Sequence, residues 1–451
     1  MSDEFDAAVS TIRERIEPDD GERQRLSDAV TELTNRIEET IDQLPVDADV
    51  VQVGSTARET WIAGDRDVDL FVRFPPDLPR EQLEDYGLRV GHAVLPDGRE
   101  EYAEHPYVVG EYNGFDVDLV PCYAVSDATA IQSAVDRTPF HTEYLNERLD
   151  ADLAGEVRVC KQFLTGIGVY GSDLRTRGFS GYLTELLVLE HGDFRSFVEA
   201  AADWHPPMTF DPADHGQATF QDPLVVIDPT DPERNVAAVC SEESVARLQH
   251  YARELIADPR VGLFERSEPA PVDSDAVIDA FEQRGTTPTT VGFQTPDLVE
   301  DDLYPQLEKT RDGIVGLLER HGFDVFRSTT IADENRAVVL AELAVAERPT
   351  VQRHEGPPVH VREHAESFLQ QYDGTAAAGP FLDGDRYAVE RERQFRTASA
   401  LLDSDAMFDV GLGAAIERQL QESYTVRVDS DVATLAERFG TELAEYLDPA
   451  P

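Results

Sequence analysis

Asp67 and Asp69 stand two residues apart in the run Asp67-Val-Asp-Leu-Phe-Val-Arg-Phe74. On an extended strand, residues two apart project to the same face, so both carboxylates point one way. Carboxylate groups of this kind suit magnesium, which takes oxygen ligands and keeps waters and substrate phosphates in its shell. Three carboxylates can hold a pair of ions, and such a pair activates an attacking hydroxyl and steadies a leaving pyrophosphate in nucleotidyl transfer. The third carboxylate has to come from a neighbouring strand. Asp118 fits, in Phe115-Asp-Val-Asp-Leu-Val-Pro-Cys-Tyr123, and Asp116 competes with it from the same face. Upstream, Gly54-Ser55 opens what reads as a helix, where backbone N–H groups and a hydroxyl would suit a triphosphate. Arg58 follows one turn later and could reach the same phosphates.

In a chain with 90 acidic residues, Asp-x-Asp occurs by chance and an isolated pair is an ordinary solvated surface. The weight lies in the ensemble. Val68, Leu70, Val72 and Phe74 place the strand inside a sheet, with the Gly-Ser turn before it and a second carboxylate-bearing strand after it.

The elements that must position these groups follow from periodicity. Residues 2–44 read as two helical pieces broken near Pro18-Asp-Asp-Gly21, the second with Leu26, Val30, Leu33, Ile37 and Ile41 at helical spacing. Val50–Val53 and Asp67–Phe74 read as strands and Gln82–Val94 as a helix. Val108–Tyr112 and Phe115–Val120 form a hairpin about Asn113-Gly114, a strong two-residue turn signal. Residues 1–140 are thus expected to form a mixed sheet with helices on one side. Residues 141–258 read as mostly helical. In residues 259–451, strands at Val291–Phe293, Phe323–Ile331, Ala337–Ala346 and Tyr387–Glu390 alternate with helices at Asp302–His321 and His360–Gln371. That order suits a ferredoxin-like or RNA-recognition-type module, without an obvious aromatic surface motif.

The 451 residues allow about two to four domains. No apolar run is long enough for a transmembrane helix, and the acidic N-terminus does not read as a signal peptide. Cys122, Cys160 and Cys240 show no metal or disulfide spacing, so a cytoplasmic protein is expected. The net charge is −51, and only Lys161 and Lys309 are lysine. Such a chain would repel itself strongly in dilute solution. At about 1 M salt the Debye length is roughly 3 Å, which screens the repulsion. The acidity therefore reads as adaptation to salt, and it leaves an RNA substrate open.

Lys161 survives in Val157-Arg-Val-Cys-Lys-Gln-Phe-Leu164, directly after the catalytic-looking region, where a compact ammonium would serve a phosphate differently from a guanidinium. Drift accounts for two surviving lysines equally well. Tyr170 and His141, taken alone, read as packed core residues.

These motifs together resemble the archaeal CCA-adding enzymes, the class I tRNA nucleotidyltransferases of the polymerase β superfamily. The resemblance runs through Gly54-Ser-Thr-Ala-Arg58 with Trp61, Gly64-Asp-Arg-Asp-Val-Asp-Leu-Phe71, Asp118-Leu-Val-Pro-Cys-Tyr123 and Asp136-Arg-Thr-Pro-Phe-His141. It continues through Lys161-Gln-Phe-Leu164, Tyr170-Gly171, Arg177-Gly-Phe-Ser-Gly-Tyr-Leu-Thr-Glu-Leu-Leu187 and Asp228-Pro-Thr-Asp-Pro-Glu-Arg-Asn-Val-Ala-Ala238. Thinner matches follow at Gly356-Pro-Pro-Val359 and Gly379-Pro-Phe-Leu-Asp-Gly-Asp-Arg386.

The resemblance implies an α+β multidomain chain. Its parts are a polymerase β-type nucleotidyltransferase head (1–140), a helical central neck (141–258) and a ferredoxin-like tRNA-binding body with a mostly helical tail (259–451). It implies stepwise addition of C, C and A to the tRNA 3′ end from CTP and ATP. It assigns magnesium to Asp67, Asp69 and Asp118, and the incoming nucleotide to Gly54, Ser55, Arg58, His141, Lys161 and Tyr170, with Arg234 at the base edge. The family often has glutamate at the position of Asp67. A homodimer is also implied, with the acceptor and TΨC stem read by shape. Arg386, Arg391, Arg393 and Arg396 are candidate tRNA contacts. The alternatives are another polymerase β-type enzyme, such as a poly(A) or oligoadenylate synthetase, or a non-catalytic RNA-binding relative.

Overall fold

The computed structural model describes residues 2–102, 104–216 and 219–451, in two compact units, Met1–Ser267 and Glu268–Ala450. In the first unit, helices α1 (Ser2–Ile16) and α2 (Asp20–Ile41) precede strand β1 (Asp49–Val53) and the single turn α3 (Gly54–Ala57). Asp19 starts α2 with a reciprocal cap: its carboxylate accepts from the Glu22 N–H, while the Glu22 side chain accepts from the Asp19 N–H. There follow β2 (Asp67–Phe74), α4 (Arg80–Val94), β3 (Arg99–Tyr102), β4 (Pro106–Tyr112) and β5 (Phe115–Tyr123). The five strands lie in the order β1-β2-β5-β4-β3, with β2 and β5 parallel and the other pairs antiparallel. Asn113 and Gly114 both take positive φ, 51° and 83°, as a tight hairpin turn requires.

Strand alternation sorts this sheet. Val68, Leu70, Val72, Phe74, Val117 and Leu119 face α2 and α4 and form the core. Asp67, Asp69, Asp116 and Asp118 therefore emerge on the other face. Farther along that face Phe71, Val120 and Cys122 pack with Val53 in a small apolar patch.

The rest of the unit comprises α5 (Thr138–Asn146), α6 (Ala151–Gly166), α7 (Gly181–His191), α8 (Phe194–Ala202), β6 (Met208–Phe210), β7 (Leu224–Asp228), β8 (Asp231–Asn235) and α9 (Glu242–Ala257). Asp150, Ser180, Asp193 and Ser241 cap α6, α7, α8 and α9 with side-chain oxygens. The core here is built from Phe163, Leu186, Phe194, Phe197 and Leu248, among others. Two features differ from the sequence reading. The sheet β6-β7-β8 interrupts a segment expected to be mostly helical, because Leu224–Ile227 is a continuous apolar run with no strand alternation to betray it. And α1, grouped by sequence with the first sheet, gives Phe5, Ile12 and Ile16 to the second core.

The second unit runs α10 (Ser274–Arg284), β9 (Thr287–Gln294), α11 (Glu300–Arg320), β10 (Val325–Ala332) and β11 (Arg336–Leu343). It continues with β12 (Val351–Pro358), α12 (Arg362–Tyr372), β13 (Ala378–Asp383), β14 (Arg386–Glu392), α13 (Ala398–Leu402), α14 (Ala414–Glu422), β15 (Tyr424–Val428) and α15 (Ala436–Leu447). The main sheet is antiparallel, in the order β10-β11-β9-β15. This is ferredoxin-like order, but the second half is not the one read from sequence. Helix α12 and strand β14 belong to a separate three-stranded sheet, β12-β14-β13, inserted within the module, and β15 supplies the fourth strand. The insert repeats the strand–helix–strand pattern, so local periodicity could not tell it from the module's own half. Among the described residues no helix is long and apolar enough to cross a membrane.

Candidate active site

The parallel pairing of β2 and β5 sets Asp67 beside Asp116 and Asp69 beside Asp118. Asp69 and Asp118 are half-buried, whereas Asp67 and Asp116 are exposed. Burial, then the charge of Asp67, pushes Asp69 up to about 6, against an opposing pull from Arg58. Burial, then Asp69 and Glu101, pushes Asp118 up to about 7. Asp67 is also raised, by burial and by Asp65 and Asp116. Three carboxylates thus share a face and repel one another. A hard divalent cation suits this donor set, because it would relieve that repulsion and accept only oxygens. Among the described residues no three His, Cys, Asp or Glu side chains are gathered tightly enough to hold a metal unaided. A magnesium shell of this type is completed by water and phosphate rather than by a protein cage.

Gly54 touches this face directly. A Cβ on Gly54 would lie 2.0 Å from Asp69 Oδ2, and its φ is +78°. Only glycine allows both the left-handed backbone and the carboxylate's position. The turn that it opens is shorter than the helix expected from sequence: α3 ends at Ala57 and Arg58 is its C-cap.

A second cluster adjoins the turn. Glu185 is fully buried within α7, between apolar neighbours Leu183, Leu186 and Leu187. Arg58 Nε donates to both of its oxygens at 3.1 Å, and Arg58 Nη2 stands 2.9 Å from Oε2. Thr60 Oγ1 donates to Glu185 Oε1. Lys161, 2% exposed, donates from Nζ to Thr60 O at 3.0 Å and lies 3.8 Å from Glu185 Oε1. Burial lowers the Lys161 pKa, and Glu185 opposes that shift. The hydroxyl of Tyr170 and the Lys161 ammonium both flank Gly181, at 3.3 and 3.9 Å from where its Cβ would be.

Arg58 also donates from Nη1 to Thr142 Oγ1 at 3.1 Å, which joins this cluster to a third. There His141 stacks on Tyr182 at 3.9 Å between ring centroids, and its Nε2 lies 2.8 Å from Asp228 Oδ2. Arg234 Nη1 donates to the same oxygen at 2.8 Å, and the N–H and hydroxyl of Thr230 donate to Oδ1. Burial alone would raise Asp228; the hydrogen bonds from His141 and Thr230 outweigh it and hold the carboxyl well below its ordinary value. Burial lowers the His141 pKa, against the hydrogen bond and charge of Asp228, which raise it.

Asp67, Asp69 and Asp118 thus share the strand face that Gly54 touches, Arg58 and Lys161 converge on Glu185 with Tyr170 across Gly181 from Lys161, and His141 and Arg234 converge on Asp228, all within one unit. Sequence reading missed the two buried carboxylates that organise them. A signal existed for Glu185, a lone acid in the apolar run Leu183–Val188. Asp228 ends the apolar run Leu224–Ile227 in the same way.

The chain matches three family models in succession: a nucleotidyltransferase domain at residues 34–141, the second domain of tRNA nucleotidyltransferases at 155–265, and the C-terminal domain of CCA-adding enzymes at 284–429. It is 62% identical to the CCA-adding enzyme of Haloarcula marismortui and 58% to that of Halorubrum lacusprofundi, each over 100% of both chains. The CCA-adding enzyme of Methanosarcina barkeri is 37% identical over 94% of both chains. A solved RNA terminal U-transferase superposes with a TM-score of 0.45 at 16% identity, covering 59% of this chain and 99% of that one. With end-to-end relatives of this identity and three family domains in order, the chain belongs to the archaeal CCA-adding enzymes of the nucleotidyltransferase superfamily.

Proposed function

We propose that this chain completes the 3′ end of tRNA, adding C, C and A stepwise from CTP and ATP without a nucleic-acid template and releasing pyrophosphate. The single observation that carries the site assignment is the face where Asp67, Asp69 and Asp118 meet Gly54. Nucleotidyltransferases of this family use divalent metals, and these three carboxylates would hold magnesium. Bound there, magnesium would supply positive charge to the α-phosphate, the attacking 3′-hydroxyl and the leaving pyrophosphate. Asp116 lies beside Asp67, farther from the half-buried pair, and is the weaker ligand candidate.

The remaining residues bind and orient. The Gly54-Ser55 turn offers backbone N–H groups and a hydroxyl to the triphosphate. Arg58 and Lys161 supply fixed positive charge beside it, and Glu185 keeps both in place. Tyr170 and His141 flank the sugar and phosphates, and Arg234, held by Asp228, presents a guanidinium edge to the base. Because these donors are set before substrate arrives, little reorganisation is left for the reaction step. The protein works in a salt-rich cytoplasm, as a homodimer with its second unit on the acceptor and TΨC stem. An adenylate polymerase would have to ignore CTP, which full-length relatives of one name do not favour.

The test is incubation in high salt with tRNA lacking CCA, plus CTP, ATP and magnesium. Three ordered additions are expected. A folded sample that adds nothing, or that adds adenylate without stopping, would sink the reading.

A further inference from the structure

The face that carries Asp69 and Asp118 continues onto β4 and β3. Val109 of β4 stands opposite Asp118, so Tyr107, two places back along β4, lies on the same face. Tyr107 packs on the small apolar patch of Val53, Phe71, Val120 and Cys122. Across from it on β3 is Glu101. The Tyr107 hydroxyl donates to Glu101 Oε2 at 3.3 Å, and Arg99 donates from Nε and Nη2 to Glu101 Oε1 at 2.9 and 2.6 Å. The phenol hydrogen is thereby spent, and its oxygen keeps lone pairs for a donor from outside. Burial, then the charge of Asp118, raises the Tyr107 pKa, so the phenol lies within the field of that carboxylate. None of the roles given above employs Tyr107, Glu101 or Arg99.

The direction of attack shows what Tyr107 would meet. In nucleotidyl transfer the attacking and leaving oxygens lie roughly in line across the phosphorus. The Gly54-Ser55 turn follows β1 and touches Asp69 on β2, so a triphosphate held there has its leaving pyrophosphate toward β1. In the strand order β1-β2-β5-β4-β3, the attacking 3′-hydroxyl then enters over β5 and β4. The 2′-hydroxyl of the same ribose sits on the adjacent carbon and arrives with it. Of the β4 side chains on this face, Val109 is apolar and Glu111 stands out in solvent opposite Asp116. Tyr107 is the neutral hydrogen-bonding group that β4 offers there.

We propose that Tyr107 reads the 2′-hydroxyl of the RNA's terminal nucleotide: the phenol oxygen accepts its hydrogen bond, Glu101 fixes the phenol, and Arg99 fixes Glu101. The 2′-hydroxyl is the group by which a protein tells RNA from DNA, so a ribose end is preferred over a 2′-deoxyribose end. The same contact orients the neighbouring 3′-hydroxyl beside Asp118. Tyr107 takes no part in bond making: the 3′-oxygen bonds to the α-phosphorus, pyrophosphate leaves, and the phenol keeps its proton.

This inference rests on the nucleotidyl-transfer reading above, and its test separates the two. tRNA ending in CC is prepared with its last nucleotide either ribo or 2′-deoxy, and addition of A from ATP is measured in high salt with magnesium. The wild type is expected to lose about fivefold in kcat/KM on the deoxy end, the scale of one hydrogen bond. Tyr107→Phe keeps the ring and its packing. It should lose about as much on the ribose end and nothing further on the deoxy end, while the KM for ATP holds. Glu101→Ala, which releases the phenol, should cut the preference as well. Tyr112→Phe is the control, since the Tyr112 hydroxyl accepts from Arg36 on the core-facing side; it should discriminate as the wild type does. Melting temperature checks the fold of each variant. Equal rates of the wild type on the two ends, or undiminished preference in a folded Tyr107→Phe, would overturn the role of Tyr107. No addition by the wild type to the ribose end would overturn the functional reading, and this inference with it.

Discussion

Asp118 and Asp228 belong to the same unit and their pKa values move in opposite directions: burial raises Asp118 and its carboxylate neighbours add to the rise, whereas at Asp228 hydrogen-bond donors overcome the burial. Asp118 faces Asp69 and Glu101, and its pKa rises to about 7. Asp228 receives His141, Arg234 and Thr230, and its pKa falls. Arg58, the cation nearest to helping Asp69, is committed to Glu185. The chain has thus completed one buried charge site from its own residues and left another open. An open set of carboxylates costs stability in the free protein, and that cost is recovered only when a cation arrives from solution.

Asp69→Asn attacks the open set and should have the largest effect. Addition is expected to fall about a thousandfold, the scale of losing a main electrostatic stabiliser. Melting of the metal-free protein should hold or rise, since a repulsive charge is gone. A clear drop in melting temperature would mean that Asp69 serves the sheet. Asp228→Asn attacks the completed set, and there stability should suffer. It leaves Arg234 and the His141 hydrogen bond unmatched, at a cost of about 3 kcal/mol, near the low end because Arg234 is partly in water. Denaturant unfolding at fixed salt reads this directly, and a cost below about 1 kcal/mol would erase the contrast.

Gly54→Ala should cost about 1–2 kcal/mol from its left-handed backbone and displace the Asp69 carboxylate as well. Its addition rate is expected to fall more than its stability suggests. Rate and stability falling in proportion would reduce Gly54 to a turn former. The smallest effect sharpens the comparison by pH. Asp69 and Asp118 have raised values, so their mutual penalty on the metal-free fold is present above about pH 7 and fades as pH falls toward about 4. Asp228 is depressed, so its contribution is present above its ordinary value and lost in acid below it. Protons therefore compete with magnesium as pH falls from about 7 through about 6. Magnesium-induced thermal stabilisation should shrink over that interval, and a flat response would remove Asp69 and Asp118 from the metal.

The strands that carry Asp67, Asp69 and Asp118 were legible because alternation and the Asn113-Gly114 turn are local signals. Their adjacency was not, since the parallel pairing of β2 with β5 is a long-range choice. Glu185 and Asp228 escaped notice for a related reason: in a chain this acidic, one more carboxylate stands out only when its burial is seen. The ferredoxin-like order was read correctly and its second half was not, because the insert at 351–392 imitates the pattern it interrupts.

The Asn113-Gly114 turn lies at the opposite end of β5 from Tyr123, and nothing about it is chemical. Yet it fixes which residue of β5 stands opposite Val109 of β4, and that residue is Asp118. A strand displaced by one place would turn its whole set of side chains over. Val117 or Leu119 would then stand beside Asp69, and the acid would be pressed into the core beneath α4. A single residue added to this loop would therefore act as an inactivating mutation at a site it never touches, in a protein that keeps every catalytic residue in its sequence.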